Sequence, residues 1–225
     1  MKRTHRVARK VQALLPGEYA RSGPIVFNPY YEYIINGFII DGTPYKNTVV
    51  VRRLQHVFFE ADPLIRLTYS TSVYNLADPT KIVFFEGHVD DLAAQIAMTL
   101  ISSGAAAEML EPYTLQHFID QKWPVPVDDI DAHHLFELAC ARFLVGDVER
   151  AKASFRTQKR LLDTYFAEHK TFDNPVGDLY YRDNCRAVAL LDGDNTALRQ
   201  FIIDIVTRNA GILGFNASGT GPHCA

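Results

Sequence analysis

The chain has 225 residues, 48% of them apolar and 12% aromatic, which is ample material for a buried core, and its 22% of charged residues excludes wholesale disorder. Its 23 basic and 26 acidic residues leave a net charge of −3, whereas a domain that holds nucleic acid through its phosphates carries a basic excess, so no nucleic-acid partner is expected. The longest apolar runs, such as Ile82–Phe85, are far too short to span a bilayer, and no membrane partner is expected.

Lys2, Arg3, Arg6, Arg9 and Lys10 open the chain as a signal peptide would. Val-Gln-Ala-Leu-Leu-Pro follows them, with few apolar residues and no cleavage pattern, so no export is predicted. The three cysteines, Cys140, Cys185 and Cys224, form no C-x-x-C pair, and reduced thiols in a cytoplasmic protein are the simplest reading. Without a secretory signal the sequon at Asn216-Ala217-Ser218 carries no weight.

Val7, Val11, Leu14 and Leu15 recur at helical spacing over Thr4–Leu15 and make one apolar face, with the cations on the other. Such a basic amphipathic helix suits a membrane surface or RNA. A short helix packed on a sheet with its charges in water accounts for the same pattern, and is preferred. Gly23-Pro24 and Asn28-Pro29 bracket a short strand, Ile25–Phe27. The segment Tyr31–Glu60 is the strongest structural signal: two arms rich in β-branched and aromatic residues flank a break containing Gly42, Pro44 and Asn47, which predicts a long hairpin with a five- or six-residue loop. A half-exposed strand is expected over Leu64–Tyr74, then a turn at Asp78-Pro79-Thr80-Lys81, and a last strand over Ile82–Glu86.

Helices follow. Asp90 or Asp91 can cap one whose stripe is Leu92, Ala93, Ile96, Ala97, Leu100 and Ile101, stopping at Gly104. Ala105–Glu111 and Thr114–Gln121 form two shorter helices around Pro112. Two prolines in Trp123–Asp129 mark a connection. Beyond it, Leu138–Asp147 can be laid over Cys185–Asp194: each is an apolar helix ending in Gly-Asp, the glycine supplying a positive φ and the aspartate capping the next helix. Val148, Ala151, Phe155, Leu162 and Tyr165 give one following helix its buried face, and Leu198, Phe201, Ile202, Ile205 and Val206 the other. Asn174-Pro175 suits a cap and first-turn proline. The pattern resembles tetratricopeptide-type helical hairpins, with the alanine of that pattern kept only at Ala151. The expected fold is α+β: an N-terminal antiparallel sheet of four or five strands with a long central hairpin, then a bundle of helical hairpins. Residues 1–122 form the mixed sheet–helix part, 123–212 the helical part packed on it, and 213–225 a flexible Gly-rich tail.

Few residues suggest chemistry. Asp128, Asp129, Asp131, His133 and His134 include metal-liking side chains, but adjacent helical histidines diverge by about 100° and the aspartates suit helix capping, so no metal and no cofactor are expected. Arg52 and His56 stand at alternate positions of one strand, one face that suits an anionic group. His88 follows the last strand, where loops collect functional groups. Tyr30, Tyr31, Tyr33, Tyr180 and Tyr181 are of the type enriched at protein interfaces. The glycine-rich and histidine motifs of P-loop, Rossmann-type and zincin chemistry are absent. Alternation along Thr48–Glu60 leaves neither side uniformly apolar, and a bulge at Arg52-Arg53 repairs the pattern while re-aiming side chains.

The order Leu14-Leu15-Pro16, Arg21-x-Gly23-Pro24-Ile25-Val26, Asn36–Gly42, Phe58–Asp62 and Leu64–Ser70, followed by Gly146–Ala151, resembles uncharacterised bacterial α+β proteins associated with accessory or toxin-immunity loci. Together these features predict a soluble, non-enzymatic, cytoplasmic protein-binding module of immunity or accessory type, with another protein as partner and Arg52, Arg53, His56, His88, Tyr180 and Tyr181 as binding candidates. The alternatives are a small enzyme with a pocket on the sheet face near Arg52 and His56, and a homo-oligomer built through a sheet edge.

Overall fold

A computed structural model describes residues 2–31, 33–59, 74–75, 78–122, 132–169 and 175–212. The strand expected from Leu64 lies outside them as far as position 73, as do the connection at 123–131, the cap at Asn174 and the tail at 213–225. The chain is an α+β protein, an N-terminal five-stranded antiparallel sheet followed by helices. Its contacts define two units. One holds the described residues up to His56 and those from Tyr74 to Tyr113; the other holds Val57–Phe59 and the described residues from Thr114 onward.

The first unit opens with α1 (Arg3–Leu14), which buries Val7, Ala8 and Val11 and exposes Arg6 and Arg9. Leu15 precedes Pro16 and is accordingly extended (φ −75°, ψ 138°), which ends the helix. Strands β1 (Ala20–Ser22), β2 (Ile25–Phe27), β3 (Ile34–Gly42), β4 (Thr48–Val57) and β7 (Phe84–Glu86) form one sheet in the order β1-β2-β3-β4-β7. β5 (Tyr74–Asn75) and β6 (Asp78–Ile82) form a separate two-stranded ribbon. Then come α2 (Val89–Ser102) and α3 (Ala105–Leu110). The hairpin is as expected, with five residues between β3 and β4, Asn47 being left-handed at φ 66°.

Val26, Phe38, Ile40, Val49, Val51 and Phe85 share one core with Val7 and Val11 of α1, Leu92, Ile96 and Leu100 of α2, and Met109 of α3. The helices therefore cover one face of the sheet. β3 is buried at every position from Ile34 to Ile40, as befits the central strand. Gly37 faces Phe27 in the β2–β3 register, and a Cβ there would stand 2.3 Å from the Val26 carbonyl oxygen.

One strand joins those expected, and two local expectations are corrected. Ala20-Arg21-Ser22 has no legible alternation, yet it pairs with β2 because the chain reverses at Gly23 (φ 57°). Asp78-Pro79-Thr80-Lys81 belongs to β6 rather than to a turn, and Val83 separates β6 from β7. Proline is tolerated there because both strands of a two-stranded ribbon are edges. α2 begins after His88, so Asp90 and Asp91 sit in its first turn, where they complement the helix dipole instead of capping.

The second unit contains α4 (Leu115–Lys122), α5 (Ala132–Leu144), α6 (Val148–His169), α7 (Pro175–Ala189) and α8 (Asn195–Ile212). Ile119 of α4 packs on Leu135 and Leu138 of α5, and Phe136 meets Phe155 of α6 edge to face at 5.6 Å. Gly146 turns α5 into α6 at φ 90°, as its position after an apolar helix predicts. Gly193 does not repeat this. The amides of Leu190, Leu191 and Gly193 bond to the carbonyls of Ala187, Val188 and Leu190, so the helix end tightens into three-residue turns without a left-handed residue. Asp194 caps α8 by accepting from the Thr196 amide at 3.0 Å, while the Asp147 carboxylate pairs with Arg150 at 3.5 Å. Inside this unit Asn184 donates to Gln158 and to the Phe155 carbonyl, and Asn209 donates to the Phe58 carbonyl at 2.8 Å.

Candidate functional site

On β4, Arg52 and Arg53 part company. The Arg52 guanidinium stands 3.7 Å from Asp41 of β3, an ion pair too long for a hydrogen bond, and Arg53 donates to Glu108 of α3 at 3.0 Å. Each arginine that interrupts the apolar alternation thus meets a carboxylate, which accounts for the mixed pattern of β4. Burial pushes the Asp41 carboxyl up, outweighing the pull of Arg52 in the other direction. The His56 backbone lies in β4, but its side chain is outside the described residues. His88 is exposed at the N-cap of α2: its carbonyl accepts from the Leu92 amide at 2.9 Å and its imidazole caps nothing.

A cavity of about 370 Å³ opens at the loop end of the β3–β4 hairpin, lined by Lys2, Arg3, Thr43, Tyr45 and Thr48 among others, and including neither Arg52 nor Arg53. Three of its polar side chains serve the backbone. Arg3 donates to the carbonyls of Asn47 and Gly87, and the Thr43 and Thr48 hydroxyls donate to neighbouring carbonyls. This cavity ties helix, hairpin and strand end together.

The second unit carries the denser cluster. Tyr181 of α7 donates to Asp163 of α6 at 3.0 Å, stacks on Phe166 with ring centroids 5.6 Å apart and planes at 8°, and lies under the Lys159 ammonium at 5.1 Å. Lys159 also bonds Asp163. The hydrogen bond to Asp163 raises the Tyr181 phenol, and that from Lys159 lowers the Asp163 carboxyl. Burial works against the Lys159 ammonium, but its bond to Asp163 prevails and its pKa is raised. One turn along α6, Tyr165 stacks on His169 at 4.2 Å. The result is an aromatic ledge on α6 and α7 in which Phe166 remains 41% exposed. Tyr180 lies beside it in sequence, its side chain outside the described residues.

The chain spacing pointed to Tyr181 but not to its neighbours. Lys159 and Asp163 are readable as an i, i+4 pair, and Phe166 as an aromatic lying off the Phe155–Leu162 buried stripe. That they meet Tyr181 follows only from the packing of α6 on α7. Two residues assigned to buried stripes by spacing are in fact outside: Leu14 is 51% and Ile101 46% exposed. Among the described residues no helix is long and apolar enough to cross a membrane. No family model, curated protein or solved structure matches the chain.

Proposed function

We infer that the protein is a non-enzymatic, cytoplasmic protein-binding module whose second unit docks another protein on the α6–α7 ledge. The observation that carries this reading is the aromatic pair Phe166–Tyr181, held by Asp163 and Lys159 yet partly exposed. Preorganised aromatics lose little entropy on binding and dominate the energetics of protein interfaces. Exposed Arg160 and Arg182, next in sequence to Lys159 and Tyr181, supply a polar rim that selects a partner with carboxylates around an apolar anchor. In its narrowest form, supported by the resemblance to proteins of toxin-immunity loci, the module is an immunity-type inhibitor whose partner is the cognate toxin.

The test is affinity purification from the native host with the wild-type chain and with Phe166→Asp. A stoichiometric protein retained by the wild type and lost by the variant supports the reading. Recovery of no such protein, or its equal retention by Phe166→Asp with helical content unchanged by circular dichroism, refutes it.

A further inference from the structure

Five Lys or Arg residues and no acid precede Glu18, although the chain as a whole carries −3; removing those five leaves −8 for the remainder. The structure shows where this positive charge goes. Arg3 is spent on the carbonyls of Asn47 and Gly87, and Lys10 on Asp90. Arg6 and Arg9 on the outer side of α1, and Lys2 just before it at the rim of the hairpin cavity, are exposed, and no carboxylate among the described residues pairs with them. Arg3 meets Gly87, two residues before α2, and Lys10 reaches the first turn of α2, so the two helices lie side by side over the sheet.

Beyond its first turn, where Asp90 and Asp91 are exposed, the outer face of α2 is apolar. Ala94, Met98 and Ile101 recur at i, i+4 and i+7 and are exposed, Met98 by 66%. Leu14, one turn beyond Lys10 on the side of α1 that meets α2, is exposed too. Small residues, Ala13 and Ala94, are exposed on the two helices and allow a partner backbone to approach. Arg3 and Lys10 of α1 both meet the start of α2, so the unneutralised cations lie towards that end and the apolar strip follows along α2.

We propose that the outward face of α1 and α2 binds an acidic amphipathic helix of a partner protein, its apolar side on Leu14, Met98 and Ile101 and its carboxylates on Lys2, Arg6 and Arg9. The complementarity of charge selects acid, and the adjacent strip selects a helix with an apolar stripe. Methionine at the centre of the strip adapts to the side chains it receives. A bilayer is the poorer occupant, because the apolar face of α1 itself, Val7, Ala8 and Val11, is already buried and no exposed aromatic ring flanks the strip on either helix. A phosphate backbone has no use for the apolar strip. This surface is independent of the α6–α7 ledge, and either assignment can fail alone.

The experiment titrates the full chain into a labelled synthetic helix with leucine along one side and glutamate on the other, followed by fluorescence anisotropy, with a lysine-for-glutamate peptide as control. The glutamate peptide is expected to bind and the lysine peptide not to. Arg6→Glu/Arg9→Glu weakens binding by about tenfold or more, Met98→Ser/Ile101→Ser does the same, and Phe166→Asp leaves it unchanged. All four positions of the double variants are exposed, so the fold survives the changes. Absence of binding to the glutamate peptide, equal binding of both peptides, or indifference to both double variants overturns the proposal. So does a failed peptide titration accompanied by binding to phosphatidylserine vesicles, to single-stranded RNA or to a second copy of the chain that Arg6→Glu/Arg9→Glu abolishes.

Discussion

Gly37 has no room for a side chain. Opposite it stands Phe27, and a methyl group at Gly37 would meet the Val26 carbonyl oxygen at 2.3 Å and the Phe27 Cα and Cβ at 2.7 Å. Backbone, rather than a flexible side-chain end, blocks the space, so β2 and β3 must move apart for anything larger. Gly37→Ala is expected to cost about 1–3 kcal/mol, as overpacking in a closed core does. Thermal unfolding followed by circular dichroism measures it, and an unshifted midpoint would show that the strands relax freely. The sequence shows the glycine in a β-branched run but not the neighbour that makes it necessary. The same holds for Arg52 and Arg53. Their breach of the alternation is readable, whereas Asp41 and Glu108, which answer it, come from a neighbouring strand and a helix far along the chain.

At the scale of elements, α3 is the instructive case. Six residues are too few for a helix to persist alone. Its hold comes from polar side chains of the sheet region: Tyr19 donates to the Ala106 carbonyl at 2.7 Å, Asn28 to that of Leu110 at 2.9 Å, and Asn36 more weakly to those of Glu108, Met109 and Glu111 at 3.4–3.5 Å. Carbonyls at a helix end lack partners within the helix, so these asparagines complete it. Asn28→Ala should cost about 1–3 kcal/mol by stranding a part-buried carbonyl. Arg53→Met should cost less than about 1 kcal/mol, because its bond to Glu108 is half in solvent. Urea denaturation of both variants decides the order, and a larger loss for Arg53→Met would show that the clamp works through charge. The extents of α1, β2, the β3–β4 hairpin and α2 with its Gly104 terminus follow from periodicity and punctuation. β1 and β6 do not, since pairing with a neighbour makes strands of residues with no strand pattern of their own.

For the whole molecule, stability against acid sums opposing carboxylates. Asp194 is lowered, first by the Thr196 amide, so it contributes stability above the ordinary carboxyl pKa of about 3.9, lost as pH falls through its lowered value. Asp41 is raised by burial, so its ionised form opposes folding at neutral pH, and that opposition fades as pH falls through its raised value towards the unfolded one. Relative to wild type, Asp41→Asn should therefore be favoured at pH 7 and lose its advantage in acid, whereas Asp194→Asn should be disfavoured at pH 7 and converge with wild type in acid. Denaturant midpoints across that range test it; parallel curves for either variant would contradict the assignment. Sequence alone determined the α+β order, the long hairpin, the helix-ending glycines at Gly104 and Gly146, and a basic start to a mildly acidic chain, because these are written in neighbouring residues. Tertiary structure alone decided that Arg6 and Arg9 meet no carboxylate among the described residues while Leu14 and Ile101 turn outward. It also decided that Tyr181 joins Lys159, Asp163 and Phe166. Contacts across helices depend on which faces pack, and helical spacing within one segment cannot express that.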